Sequence, residues 1–388
     1  NPASTLTITP RALTASVTVD NKVYNGTTEA TISGGINLGN LIGGDTVSAT
    51  YISGDFADKH VGDNKTVTLA GISLTGADAG NYSLAADSVT SSASITPKTL
   101  TITAVTDTKP YDGTTSSGGG PAVSGLVVGV GDTIDGLSQA FANKNVLGAG
   151  NSTLNVSGYT INDGNNGQNY TVITQSATGS ITPKALTAAL TGTAEKVYDG
   201  TTAATLTNAN FHLFDLITGD AVSVSGTSAS YADKNVDSLI TVTATGLSIS
   251  GADAGNYTIS GDASGNIGVI TPRALTGSVT AANKVYDRTT AATIDAGVTL
   301  GNLIDGDTVS ASHAGGEFSD WNVGDNKTVN LSGISLTGAD AGNYSLASSG
   351  IASNASITPA TLTLTSLGTV EKVYDGTATA MVNAGNQP

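Results

Sequence analysis

The sequence predicts an all-β protein built of β-sandwich domains in tandem. Three observations carry this. The heptapeptide Lys-Val-Tyr-Asp-Gly-Thr-Thr stands unbroken at Lys196 to Thr202 and recurs with single changes around Tyr24, Tyr111, Tyr286 and Tyr374, at spacings of 87, 87, 88 and 88 residues. Between its copies, short runs alternate apolar and polar residues, the period of a half-buried strand. No stretch holds a helical period for more than a turn or two. A repeat of about 87 residues is long enough to bury a small core of its own, unlike the shorter units of solenoids. The expected organisation is the end of a preceding repeat at 1–9, repeats at 10–96, 97–182, 183–271 and 272–358, and the start of a fifth at 359–388.

Each element follows from local chemistry. Ile-Thr-Pro closes every repeat, and Pro10, Pro97, Pro183, Pro272 and Pro359 stand between one repeat's last strand and the next repeat's first. Proline suits a strand start and stiffens a junction, and no Gly/Ser linker intervenes. The run Arg11 to Val19 alternates as the first strand. The motif follows, with Asp-Gly as the turn between two strands and the Thr pair opening the second. Asn25 and Arg288 depart from the motif. Arginine is unusual at a left-handed position, so a type I′ turn is not expected in every copy. A Gly-Asp segment at Gly44, Gly131, Gly219 and Gly306 opens another strand, which ends at Phe56, Phe141, Tyr231 or Phe318. A polar turn comes next, then an alternating strand, then Gly76 to Tyr82 (Gly-Ala-Asp-Ala-Gly-Asn-Tyr) and its copies ending at Tyr257 and Tyr344. Repeat 2 has the looser Asn165 to Tyr170. About seven strands per repeat are expected.

Thirteen of the eighteen aromatics fall on three positions fixed within the repeat, which assigns them to packing rather than to a ligand platform. Trp321 lies outside this scheme. It stands on an exposed turn where other repeats carry Lys59, Lys144 and Lys234.

Composition excludes several functions. A net charge of −16 opposes nucleic-acid binding and adsorption to anionic lipid. The absence of cysteine sets aside small disulfide-stapled secreted domains. No apolar run approaches a membrane span, and no membrane insertion is expected of this stretch. The chain begins and ends in mid-pattern and reads as a piece of something longer.

Chemistry is scarce. His60, His212 and His313 occupy unrelated positions, so no His-based triad repeats. The acids stand mostly beside Gly or Asn, as turn formers do. No catalytic, cofactor-binding or metal residue is assigned, and no enzyme is expected. Structural calcium is the better chemical alternative, through Asp45, Asp58, Asp63 and Asp78 and their counterparts, since hard oxygens on loops suit it. An isopeptide link between Lys22, Lys109, Lys196 or Lys284 and Asn81, Asn169, Asn256 or Asn343 needs burial beside an acid. The plainer expectation is an exposed lysine and a turn asparagine.

The Tyr-Asp-Gly motif, the Gly-Ala-Asp-Ala-Gly-Asn-Tyr segment and the closing Ile-Thr-Pro together resemble the bacterial YDG repeat. That family occurs in tandem in large filamentous-haemagglutinin-type, two-partner secreted adhesins. The resemblance covers essentially the whole chain. It implies an extracellular location, at the bacterial surface or in biofilm matrix, and a stalk that projects a distal adhesive region. Polysaccharide or host surfaces would be met through other regions, and neighbouring repeats would be the immediate partners. The alternative is that the repeats themselves bind glycan or self-associate. Asp78 to Tyr82 also resembles the immunoglobulin tyrosine corner, in which the hydroxyl bonds nearby backbone. This implies immunoglobulin-like sandwiches forming an extended rod. Small-angle scattering should give a length on the order of 120–160 Å for four such domains in line; a compact globule would contradict it.

Overall fold

A computed structural model describes residues 5–363 and 371–379; the remainder of the expected segments 1–9 and 359–388 lies outside the described residues. The described chain is all-β apart from single 3-10 turns. It divides into two compact units. The first holds 1–187, 214–223 and 249–260, and the second holds 188–213, 224–248 and 261–388.

The first repeat shows the plan. It contains β1 (Arg11–Val19), β2 (Lys22–Val23), β3 (Ile32–Gly39), β4 (Ser48–Thr50), β5 (Ser53–Phe56), β6 (Gly62–Ala70), β7 (Ser73–Thr75), β8 (Tyr82–Leu84) and β9 (Ser88–Thr96). These form a three-stranded sheet ordered β3-β1-β8, a four-stranded sheet ordered β2-β9-β6-β5, and the small pair β4-β7. Nine strands replace the expected seven or so; β2, β4, β7 and β8 are only two or three residues long, too short for an alternation to set their number. Leu13, Val67, Leu69 and Ile95 point inward and are buried, as period two requires.

Parallel pairing distinguishes the sheets from a purely antiparallel sandwich. β1 pairs with β8 in parallel from Arg11↔Tyr82 to Leu13↔Leu84. β2 pairs with β9 in parallel at Lys22↔Ile95 and Val23↔Thr96. In the second repeat, Lys98–Thr103 lies parallel to Tyr170–Gln175, and Thr108–Pro110 parallel to Ala177–Thr182. The second unit repeats the arrangement with Ala194–Val197 beside Ala263–Thr271 and Lys284–Val285 beside Ala352–Thr358. First strands and last strands of a repeat are therefore neighbours that run the same way.

The motif turn does not close a hairpin. β2 and β3 flank it but lie in different sheets, so it carries the chain from one sheet to the other. It is an Asx turn: Asp112 Oδ1 accepts the Thr114 N–H at 2.9 Å and the Thr114 hydroxyl at 2.8 Å, and Asp199 and Asp287 do the same for Thr201 and Thr289. Lys109 Nζ closes the turn from inside, donating to Asp112 Oδ1 at 2.8 Å and to the Thr114 carbonyl at 2.9 Å. The same ammonium lies 5.6 Å from the Phe141 ring centroid, and Lys22, Lys196 and Lys284 lie similarly over Phe56, Tyr231 and Phe318. These lysines are thus largely enclosed rather than exposed: the side chains of Lys109, Lys196 and Lys284 are only 13–15% accessible.

The residue after the motif aspartate is left-handed wherever it is described: Gly26, Gly113, Gly200 and Gly376 have φ of 76–79°, and Arg288 has φ 65°. Only glycine takes this region without a Cβ penalty. Arg288→Gly should therefore stabilise its repeat by about 1 kcal/mol in chemical unfolding; an unchanged midpoint would show that the arginine makes a compensating contact.

Candidate functional site

The fixed residues of the repeat converge on one place, the junction with the next repeat. The approach begins in the Gly-Ala-Asp-Ala-Gly-Asn-Tyr segment. Gly76 has φ 116°, and a Cβ there would lie 2.3 Å from the Thr46 carbonyl oxygen, so only glycine fits. Asp78 then clamps Thr46, accepting its N–H at 2.8 Å while its own N–H donates to the Thr46 carbonyl at 3.2 Å. Asp253 and Asp340 hold Ala221 and Thr308 in the same way. This clamp fixes the preceding residue, Asp45, Asp220 or Asp307, against the tyrosine that ends the segment. In the second repeat the substitute loop is ordered by Asp163, whose carboxylate accepts the N–H groups of Asn165, Gly167 and Asn169 at 2.8–3.0 Å.

Two tyrosines from successive repeats then meet on one carboxylate oxygen. Tyr24 and Tyr170 donate to Asp132 Oδ2 at 2.9 and 2.6 Å. Tyr111 and Tyr257 donate to Asp220 Oδ2 at 2.8 and 2.6 Å. Tyr198 and Tyr344 donate to Asp307 Oδ2 at 2.9 and 2.5 Å. The paired rings pack edge to face, with centroids 5.3–5.5 Å apart. Each second tyrosine also accepts a backbone N–H, from Val127, Ile217 or Ile304, at 3.0–3.1 Å.

The other oxygen faces a lysine of the preceding repeat. Lys59, Lys144 and Lys234 approach Asp132, Asp220 and Asp307 at 3.8, 3.7 and 4.0 Å. A third tie runs from the turn valine: Val61, Val146 and Val236 donate their N–H groups to Oδ1 of Asn169, Asn256 and Asn343 at 2.8–3.0 Å. The same asparagines reach back to His60, Asn145 and Asn235. The motif glycine completes the fit. A Cβ on Gly26, Gly113 or Gly200 would stand 2.7–3.3 Å from Val130, Ile217 or Ile304 of the next repeat. Apolar packing is continuous across the first junction, where the cluster of Tyr24, Phe56 and Ile95 includes Leu100, Val127 and Tyr170. Across the third, the cluster of Tyr198, Val242 and Ile270 includes Leu275 and Tyr344.

This geometry corrects several expectations. The hydroxyl of Tyr82 does bond backbone, accepting the Ile42 N–H at 3.2 Å, but 40 residues back rather than a few as in a tyrosine corner, and it also donates to Asp45, 37 residues earlier, at 2.5 Å. The motif tyrosines do close the core, with Tyr24, Tyr111 and Tyr198 at most 1% exposed, but their hydroxyls serve the next repeat. Asn169, Asn256 and Asn343 do stand in turns, but they are buried at the junction rather than exposed. The motif lysines and these asparagines do not meet, since each bonds elsewhere, so the isopeptide pairing fails on geometry. Of the acids weighed for calcium, Asp45 accepts from Tyr82, Asp78 clamps the adjacent Thr46, and Asp58 pairs with Lys65 at 2.6 Å. Among the described residues no three metal-ligating side chains converge. His60 lies at the first junction, its Nδ1 3.2 Å from Asn169 Nδ2. Trp321, 53% exposed, replaces the junction lysine in the fourth repeat.

Sequence reasoning missed Asp132, Asp220 and Asp307 as acceptors and Lys59, Lys144 and Lys234 as their counter-ions. The available signal was that the Gly-Asp pair persists in every repeat while the residue after it varies.

A chain of β repeats docked through a shared carboxylate is the class of protein defined here. A match to the YDG domain runs over residues 9–90, 96–179, 182–265 and 271–351, and the chain belongs to that family. No curated protein sequence matches it. Among solved structures, four cadherin repeats of Drosophila N-cadherin (EC1-4) align at 7% identity and TM-score 0.19, over 88% of this chain and 98% of that one. The extracellular domain of protocadherin GammaB4 aligns at 8% identity and TM-score 0.22, over 88% of this chain and 66% of that one. The I9-I11 tandem of titin aligns at 8% identity and TM-score 0.12, over 89% of this chain and all of that one.

Junction strength should depend on pH. Burial pushes the Asp220 carboxyl up, but the hydroxyls of Tyr257 and Tyr111 and the Lys144 ammonium outweigh it and hold it below the ordinary range. Burial first, and then the carboxylate, push Tyr257 up to about 12. The lowered acid contributes stability above its unfolded value of about 4, lost as pH falls through the folded value; the raised phenol contributes below about pH 10, lost as pH rises toward the folded value. The unfolding free-energy difference between the protein and Asp220→Asn should therefore be greatest between about pH 4 and 10 and shrink on both sides. A difference independent of pH would show that the carboxylate does not act as an ion.

Proposed function

We propose that this chain is a load-bearing spacer: the stalk of a secreted bacterial adhesin of the filamentous-haemagglutinin type, at the cell surface or in biofilm matrix, holding an adhesive region at a distance. The observation that carries the reading is the parallel pairing of the second strand with the last. Tension enters a repeat at the start of β1 and leaves it at the end of β9. Because Lys22–Val23 runs parallel to the end of Ser88–Thr96, tension slides these two strands past each other. Ladder hydrogen bonds are then loaded together in shear, whereas a hairpin pulled open from its end breaks them one at a time. Tyr24 adds to the clamp, donating its N–H to the Thr96 carbonyl at 2.9 Å. Continuity between repeats is short: Pro97 alone separates Thr96 from the next first strand at Lys98. The residues common to all repeats are spent on turns, packing and docking, and the reading assigns no catalysis, cofactor, nucleic acid or membrane insertion to them.

Single-molecule extension tests this. The chain pulled from its ends should unfold in discrete events, each releasing roughly 250 Å. Replacing Lys22 by proline, which removes the N–H that the parallel register aims at the last strand, should lower the force of one event and leave the others unchanged. A featureless extension at low force would contradict a load-bearing role.

A further inference from the structure

Asn25 is the one motif residue that differs at the aspartate position, and Gly26 follows it. The dipeptide Asn-Gly is chemically distinctive, because glycine places no Cβ beside its amide nitrogen, which can then attack the asparagine side chain. Three features of the turn favour that reaction here. Asn25 is exposed, and the Gly26 N–H has no acceptor among the described residues. Asn25 Oδ1 already accepts two hydrogen bonds, from the Thr27 N–H at 3.1 Å and the Thr27 hydroxyl at 3.0 Å. These donors would hold the negative charge that develops on Oδ1 as the tetrahedral intermediate forms. The third feature is the product's setting. In the sister copies the lysine meets the aspartate carboxylate at 2.8 Å, as Lys109–Asp112, Lys196–Asp199, Lys284–Asp287 and Lys372–Asp375. Lys22 occupies the same place, 2.7 Å from the carbonyl oxygens of Thr27 and Glu29, with no carboxylate within ion-pair distance among the described residues.

We propose that Asn25–Gly26 is a self-modification site, at which the chain converts Asn25 to aspartate and so completes the fifth lysine–aspartate turn. The Gly26 nitrogen forms a bond to Asn25 Cγ, the Cγ–Nδ2 bond breaks, and ammonia leaves carrying the amide proton. Water then adds to Cγ of the cyclic imide and breaks the Cγ–N bond, restoring the main chain with a carboxylate on residue 25. Hydrolysis at the main-chain carbonyl would give isoaspartate, whose extra backbone methylene does not fit the Asx turn. The fold therefore favours aspartate. Burial lowers the Lys22 ammonium from its ordinary value, with Glu29 and Asp55 opposing in part, and a carboxylate at residue 25 relieves that condition.

The chain carries its own control. Asn166–Gly167 is the second Asn-Gly pair. There the Gly167 N–H is engaged by Asp163 Oδ1 at 2.9 Å, and Asn166 is itself left-handed at φ 56°. Full-length protein incubated at neutral pH, and the same protein in urea, would be followed by peptide mass mapping, with aspartate and isoaspartate forms distinguished against synthetic standards. In the folded protein Asn25 should convert roughly tenfold or more faster than Asn166, mainly to aspartate, through stabilisation of the oxyanion. In urea the two sites should convert alike, with isoaspartate prominent. Thr27→Val, which removes one donor, should slow the folded-state conversion. Asn25 persisting as long as Asn166 in the folded protein, or yielding mainly isoaspartate there, would overturn the proposal.

Discussion

One carboxylate oxygen receiving two tyrosine hydroxyls is the constraint on which the rest of the molecule depends. A buried carboxylate is costly unless its oxygens are satisfied. Asp132 has a side chain that is 1% exposed, and neither Tyr24 nor Tyr170 alone supplies its two donors. One donor comes from its own repeat and the other from the repeat before. A single repeat therefore leaves Oδ2 with one donor; docking the neighbour supplies the second, and brings Lys59 to 3.8 Å from Oδ1, which has no hydrogen-bond donor of its own. This ties the position of the motif turn to the position of the next repeat's Gly-Asp strand.

The remaining motif residues follow from that requirement. The lysine and the aspartate of the motif hold the turn so that the tyrosine projects correctly. The glycine bends the chain and lets Val130, Ile217 or Ile304 approach. Gly76 and Asp78, and their counterparts, fix the receiving aspartate. The fourth repeat departs at two of these points, with Arg288 in place of the glycine and Trp321 in place of the junction lysine. Both changes fall on the face that the first three repeats present to a neighbour, and Tyr286 on that face is only partly buried. One positive charge is lost from the polar turn and another appears on the motif turn, so the net charge of the face is kept.

The all-β character and much of the core were legible, because Leu13, Val67, Leu69 and Ile95 sit on alternating positions whose period is a local property. The enclosed tyrosines were legible too, from their fixed spacing. The junction was not, for a physical reason. Tyr24 and Asp132 lie 108 residues apart in different repeats, and neither periodicity nor turn chemistry links them. Asp132 looks like any turn aspartate, and Asn169 like any turn asparagine, until the neighbouring repeat covers them. The sheet assignment failed at β2 for a related reason: two residues are too few to reveal that the strand pairs in parallel with β9 rather than antiparallel across the motif turn.

A double-mutant cycle at the third junction tests the shared carboxylate most directly. Tyr198→Phe, Asp307→Ala and the double variant would be compared by equilibrium unfolding. The account predicts that the two changes are not additive, with a coupling energy of about 1–2 kcal/mol across the repeat boundary. Additive losses, with no coupling between a tyrosine of one repeat and an aspartate of the next, would contradict it.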